Sequence, residues 1–272
     1  MIELFEKDLR EDGRQSSKGN QLKWQTDGRW YKADYMGYEG FSEYVVSELL
    51  CFSTLKEGEY VRYRTEEIAY RNRRYTGCSS RNFLPEGWQL ITLERLFQTQ
   101  YGESLYRSVF QIEGTEERLR FLVSQVERIT GLTGLGNHIA RLLTIDAVFL
   151  NEDRHMHNIA LLLDPAGEYH LCPVFDHGAA LLSDTAMEYP MSGEVYQLTD
   201  TVRAKTISPD FEEQLDAAEN LYGQQITFSF SHRQVEKIIN EDRIYPEAVH
   251  RRVQTLIFEG MRKYPYLFQI KD

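Results

Sequence analysis

Cysteine is scarce in this chain of 272 residues: Cys51, Cys78 and Cys172 are odd in number and unclustered, with no C-x-x-C pair. That excludes a disulfide framework and a thiolate metal or redox motif, and reads as reduced thiols in a cytoplasmic protein. No apolar run reaches the eighteen residues or so that a membrane-spanning helix needs. Residues 1–12 are acidic and lack the basic-then-apolar order of a secretory signal. Basic residues are also few, 31 Lys and Arg against 42 Asp and Glu, for a net charge of −11. This balance argues against direct nucleic-acid binding and against an anionic membrane surface as partner. Neither a Walker A nor a G-x-G-x-x-G pattern occurs, and there is no internal repeat or low-complexity tract. What remains is a composition, 42% hydrophobic and 27% charged, ordinary for a globular chain able to bury a sizeable core.

Against these absences one stretch stands out, Ile145 to Leu163. An apolar run breaks into Asn151-Glu152-Asp153-Arg154-His155-Met156-His157-Asn158, and a second apolar run follows. Asp153 and Asn158 have the Asp-x-x-x-x-Asn spacing of a kinase catalytic loop. Further on, Val174-Phe175-Asp176-His177-Gly178 sets another carboxylate at the end of an apolar strand. Phosphoryl transfer needs a carboxylate facing the attacking hydroxyl, and oxygen ligands from two backbone segments to hold Mg²⁺ on the nucleotide phosphates. A loop and a strand end joined by a hairpin at Asp164-Pro165-Ala166-Gly167 supply both. Asp and Asn are common turn residues, but Asp-Arg-His-x-x-Asn arises by chance only about once in a thousand chains of this size. His155 and His157 with Asp153 could suggest zinc, but no further ligand lies nearby to complete a tetrahedral set. His155 is instead expected to orient the loop or approach ATP, His157 to be exposed, and Arg154 to anchor a carboxylate or carbonyl.

The N-terminal third reads as sheet. Alternating strand-like residues lead into a Thr26-Asp27-Gly28-Arg29 turn, from which Trp30 to Ala33 return as the second strand of a hairpin, and Lys32, between apolar neighbours, is the candidate phosphate lysine. The small, polar stretch Ser16 to Trp24 leading into this hairpin exposes backbone N–H groups that could cradle phosphates. A helix over 41–52 follows, with Tyr38, Phe41, Val45, Leu49 and Phe52 on one face and Glu43, Val46 and Leu50 on roughly the other. A glutamate on an apolar face wants a partner. Lys32 with Glu43 is the natural pair, with Glu39 and Glu48 as rival carboxylates. Residues 55–86 hold strands of undetermined order, and Arg71 to Arg74 a basic cluster read as a solvated face. Trp88 to Thr92 is a strand running into helical Leu93 to Phe97, where an adenine could bond the backbone of Thr92, Leu93 and Glu94. Helices are expected over 116–129 and 137–149, and near 208–222, 231–240 and 245–263. The expected fold class is α+β, a bilobal protein-kinase-like fold: an antiparallel sheet lobe (1–95) binding ATP, and a mostly helical catalytic lobe (96–272).

The catalytic-loop residues Asn151 to Asn158 resemble those of the HipA-like serine/threonine kinases. The resemblance extends to Ser16-x-x-Gly19-x-Gln21-x-Lys23 as that family's phosphate loop (so Ser17, Lys18 and Asn20 as well), and to Lys32 as its ATP lysine. Leu93-Glu94-Arg95 resembles the lobe-connecting hinge, and Phe175-Asp176 the second metal site. It implies Asp153 as catalytic base, Asn158 and Asp176 as Mg²⁺ ligands, and Ser16 or Ser17 as autophosphorylated. The best-known members carry an extra N-terminal subdomain that helps contact a DNA-binding antitoxin, and here nothing of that kind precedes the phosphate loop.

The expected activity is transfer of the γ-phosphoryl group of Mg-ATP to a Ser or Thr hydroxyl of a protein or peptide. An antitoxin-like partner follows only from the resemblance. The alternatives are a nucleotide-binding pseudokinase or interaction module, or a kinase of a small molecule, lipid head group or biosynthetic peptide.

Overall fold

A computed structural model of the chain describes residues 1–10 and 21–269. The chain runs β1 (Ile2–Glu3), β2 (Lys23–Thr26), β3 (Arg29–Ala33), α1 (Glu39–Leu50), β4 (Tyr63–Tyr70) and β5 (Arg73–Arg81). It continues through β6 (Gln89–Thr92), α2 (Leu93–Tyr101), α3 (Leu105–Phe110), α4 (Thr115–Thr130) and α5 (Leu135–Phe149). Then follow β7 (Ala160–Leu163), β8 (Tyr169–Leu171), α6 (Val195–Thr199), α7 (Phe211–Tyr222), α8 (His232–Glu241) and α9 (Glu247–Lys263). These elements sort into two compact units, one of Met1–Phe83, Phe175–Thr201 and Thr227–Asp272, the other of Leu84–Val174 and Val202–Ile226. The fold class is mixed α+β, as a strand-patterned N-terminal third followed by mostly helical patterns predicts.

In the first unit a five-stranded sheet has the order β1-β4-β5-β3-β2. Its hairpins follow from turn chemistry. Asp27 and Gly28 (φ 50° and 70°) join β2 to β3, and Arg71 and Asn72 (φ 46° and 60°) join β4 to β5. Both central residues left-handed is the geometry that matches strand twist in two-residue hairpins. The basic cluster thus straddles a hairpin tip, with Arg71 paired to Glu6 at 2.7 Å. The sheet departs from the expected antiparallel pattern at one edge, where β1 pairs parallel to β4 through Ile2↔Ile68. Two residues are too few to carry an alternation that could be read in advance.

Helix α1 lies on this sheet. Phe41, Val45, Val46, Leu49 and Leu50 are fully buried and Glu43 with them, so both apolar faces have covers. Each such side chain contributes about 1.5–3 kcal/mol. The close approach needs glycine: a Cβ on Gly77 would fall 2.1 Å from the Lys32 carbonyl oxygen, and one on Gly40 would fall 2.4 Å from Gly77. From the C-terminal part, the Tyr44 hydroxyl donates to the Ile238 carbonyl at 3.3 Å, while the Tyr245 hydroxyl donates to Asp34 at 2.6 Å.

The second unit holds the sheet β6-β7-β8 and helices α2 to α5 and α7. Helix α5 is apolar nearly all round, and Leu135, Ile139, Leu143, Ile145 and Phe149 are fully buried, the pattern of a helix enclosed by others. It ends at Leu150 in the left-handed region (φ 54°), which lets the Asn151 amide return to the Asp146 carbonyl at 2.9 Å.

Candidate active site

In the first unit, two residues from the N-terminal part meet a third from far along the chain. Strand β3 presents Lys32, whose Nζ lies 2.7 Å from Glu43 Oε1 on α1 and 2.8 Å from Asp176 Oδ1. Of the three glutamates open as partners, Glu43 holds the lysine. Its second oxygen accepts the His177 amide at 2.8 Å, so α1 also grips the Asp-x-Gly segment. Asp176 itself is left-handed (φ 66°), a conformation that Asp tolerates better than most residues. Two more bonds fasten the following residues to α1 and to Tyr38 at its N-cap. The Ser42 hydroxyl donates to the Ala180 carbonyl (2.9 Å), and the Tyr38 hydroxyl to the Leu181 carbonyl (2.5 Å). Burial works against the Lys32 ammonium, but Asp176 and Glu43 outweigh it and hold the amine charged. Burial pushes the Glu43 carboxyl up, Lys32 pulls it back and the Asp176 charge adds to the rise. Two carboxylates therefore share one cation.

In the second unit, the loop from Asn151 to Asn158 is held from within and from behind. The Asn158 side-chain amide donates to the Asp153 carbonyl at 2.7 Å, and its backbone amide to the His155 carbonyl at 2.8 Å. Asn158 therefore closes the loop that Asp153 opens. Arg154 points the other way. Its Nε and Nη2 lie 3.0 and 3.1 Å from the two Asp146 carboxylate oxygens, and its Nη1 donates to the Asn158 carbonyl at 3.3 Å. This is the structural anchor expected of Arg154, with Asp146 on α5 as the carboxylate. His155 lies with its Nε2 3.8 Å from Asp153 Oδ1, and its Nδ1 accepts the amide of the exposed His157.

Other sequence-assigned residues fall as follows. Lys23 stands directly across from Lys32 on the adjacent strand, and Gln21 lies just before β2. Ser16, Ser17, Lys18, Gly19 and Asn20 lie outside the described residues. Thr92 caps α2, its hydroxyl accepting the Arg95 amide. The Leu93 and Glu94 amides are taken by the carbonyls of Ile159 (2.9 Å) and Met156 (3.1 Å), and the Glu94 carboxylate accepts the Tyr106 amide. These two bonds tie the β6–α2 junction to the segment around Met156 and Ile159.

Sequence reasoning passed over two residues. Asp146 had a signal, a lone carboxylate inside the apolar run of a buried helix. Lys205 had none: its Nζ reaches Asp153 Oδ1 at 3.5 Å from 52 residues away.

No family model matches the chain, and no curated protein matches its sequence. Among solved structures, the Helicobacter pylori proinflammatory kinase CtkA aligns over 96% of this chain and 95% of its own, with TM-score 0.62 and 16% identity. HipA of the Shewanella oneidensis toxin–antitoxin complex with HipB and operator DNA aligns at TM-score 0.42 and 11% identity, over 94% of this chain and 62% of that one. The chain thus has a kinase-like fold, that of CtkA, consistent with the HipA-like kinase core that its catalytic-loop residues resemble.

Proposed function

We propose that the protein is an ATP-dependent kinase that transfers the γ-phosphoryl group of Mg-ATP to a serine or threonine hydroxyl of a protein or peptide. The observation that carries this reading is the meeting of Lys32, Glu43 and Asp176. One ammonium held by a buried glutamate and a more open aspartate is a cation oriented for phosphate, beside a carboxylate able to take a metal. The donor set suits Mg²⁺. Asp176 offers carboxylate oxygens, and the Asn158 amide nitrogen is engaged with Asp153, which leaves its amide oxygen as the ligand atom; both are hard donors. Mg²⁺ bound with the nucleotide would neutralise charge on the β- and γ-phosphates.

The remaining roles belong to side chains. Lys32 pairs the phosphates while Glu43 keeps it aimed. Asp153 receives the hydroxyl proton as the acceptor oxygen attacks in line, and Arg154 with Asp146 keeps that loop in register. The reading carries with it autophosphorylation at Ser16 or Ser17, a cytoplasmic location and an antitoxin-like partner as further parts of the proposal.

The test uses purified protein with radiolabelled ATP and peptide mixtures. Asp153→Ala is expected to bind ATP within a few-fold of wild type and to lose roughly 10²–10⁴ in transfer rate. Asp176→Ala is expected to lose Mg-dependent ATP binding. Nucleotide binding without any transfer by the wild type would show a pseudokinase instead, and an Asp153→Ala rate equal to wild type would remove Asp153 from its role.

A further inference from the structure

The segment after Thr201 brings a lysine to the catalytic loop, and it does so on a rigid base. The Ala204 amide donates to the Pro209 carbonyl at 3.0 Å, and the Ile207 amide to Gln214 Oε1 at 2.8 Å. Arg118 Nη1 donates to the Ile207 carbonyl at 3.0 Å, and the Thr206 hydroxyl to the Arg154 carbonyl at 2.6 Å. Thr206, Ser208 and Gln214 are each 1% exposed. A buried polar network of this kind fixes a backbone path. The last of these bonds ties the residue beside Lys205 to the residue beside Asp153.

Lys205 itself is looser than its base. Its side chain is 41% exposed and Asp153's 12%, with 3.5 Å between Nζ and Oδ1. As a stabilising ion pair this contact is worth little, because a half-exposed cation at that distance is well screened. The four anchors around it are not explained by so weak a pair. A cation delivered to the proton-accepting carboxylate, but not locked to it, is suited to a charge that develops beside Asp153 during reaction.

We infer that Lys205 is a further catalytic residue, whose ammonium contacts the non-bridging oxygens of the γ-phosphoryl group as it transfers. The inference rests on the kinase reading above. In the step, a bond forms between the acceptor oxygen and the γ-phosphorus, and the bond from that phosphorus to the β–γ bridging oxygen breaks. ADP leaves with that electron pair, and the acceptor's proton passes to Asp153. Protonation removes the charge that Lys205 faced, so its ammonium turns from Asp153 to the phosphoryl oxygens and keeps its own protons throughout. The interaction strengthens only as the reaction proceeds, which is the condition for raising kcat rather than ATP affinity.

Release of phosphate from γ-labelled ATP, with water as acceptor, and transfer to a mixed Ser/Thr peptide pool test this in the full-length protein. Lys205→Ala is expected to lower kcat about 10²-fold with KM for ATP within about threefold of wild type, the loss of one well-placed electrostatic group. Lys205→Arg is expected to retain most of the rate, and ethylammonium to restore part of it to Lys205→Ala but none to Asp153→Ala. The exposed Lys237→Ala serves as control. A Lys205→Ala kcat within threefold of wild type overturns the assignment, as does a loss confined to KM for either substrate. A lowered melting midpoint without amine rescue overturns it too, by making the role structural. Wild-type protein that binds ATP but neither hydrolyses nor transfers it defeats the kinase reading itself, which is a separate and recognisable failure.

Discussion

Each unit contains a buried ion pair, and the two pairs are built differently. Arg154 and Asp146 in the second unit are both 1% exposed and bonded through two oxygens. Lys32 in the first unit is 16% exposed, and divides itself between Glu43 at 2% and Asp176 at 30%. A sealed, two-point pair has no free valence and can only hold a shape. A cation shared by two carboxylates, one of them reachable from solvent, can exchange a partner without leaving its site. The first arrangement fits a scaffold for the Asn151–Asn158 loop, the second a group that can change partners.

The contrast is easiest to break at the sealed pair. Asp146→Ala strands a buried guanidinium and is expected to cost about 3–5 kcal/mol of folding stability, measured by denaturant unfolding. Replacing both partners with apolar residues should recover most of that loss. A single-mutant cost below about 1 kcal/mol would mean that Arg154 finds water or another partner, and that the pair is no scaffold.

A third carboxyl sharpens the comparison because neutral donors hold it. Among the described residues Asp34 accepts from the Thr76 and Tyr245 hydroxyls and the Gly40 amide. Burial and the nearby Glu39 push its carboxyl up to about 6, from an ordinary 3.8. The folded chain therefore takes up this proton more readily than the unfolded one. Its stabilisation is full below about pH 3.8 and is lost as pH rises through about 6, on the order of 2–3 kcal/mol. Asp34→Asn should flatten that part of the stability–pH profile; an unchanged profile between pH 4 and 7 would refute the assignment.

The smallest stability effect is expected at the exchangeable pair. Lys32→Met leaves Glu43 and Asp176 together, but Glu43, already pushed upward by burial, takes a proton in place of the cation. The cost is expected to be about 1–2 kcal/mol near neutral pH, and smaller in acid, because neutralisation replaces an unpaired charge. ATP binding, measured by calorimetry, should fall much more than stability does. A stability loss as large as that of Asp146→Ala would erase the distinction between the two pairs.

The hairpin at Asp27-Gly28, the long helices and the buried faces of α1 and α5 were legible because each rests on residues close in sequence. Asp-Gly turn chemistry, helical spacing and an all-apolar run act over one or two turns of chain. The pairing of Lys32 with Glu43 was within reach for a related reason: a carboxylate on an apolar helix face requires a cation, and one strand earlier offered one. The partners of the Leu93 and Glu94 amides were less legible. Whether an amide is open depends on what folds against it, and here the carbonyls of Ile159 and Met156 do.

The order of residues determined which side chains could carry chemistry, since Asp153 to Asn158 and Asp176 are defined by local spacing and by the strands and loops that spacing creates. Only the tertiary structure decided who stands beside them. It brought Lys205 across 52 residues to Asp153, set β1 parallel to β4, and returned residues 227–269 to the unit that holds the N-terminal sheet. Such contacts are chosen by packing and by the need to satisfy buried polar groups. Those are properties of the whole chain, and no short stretch of it carries them.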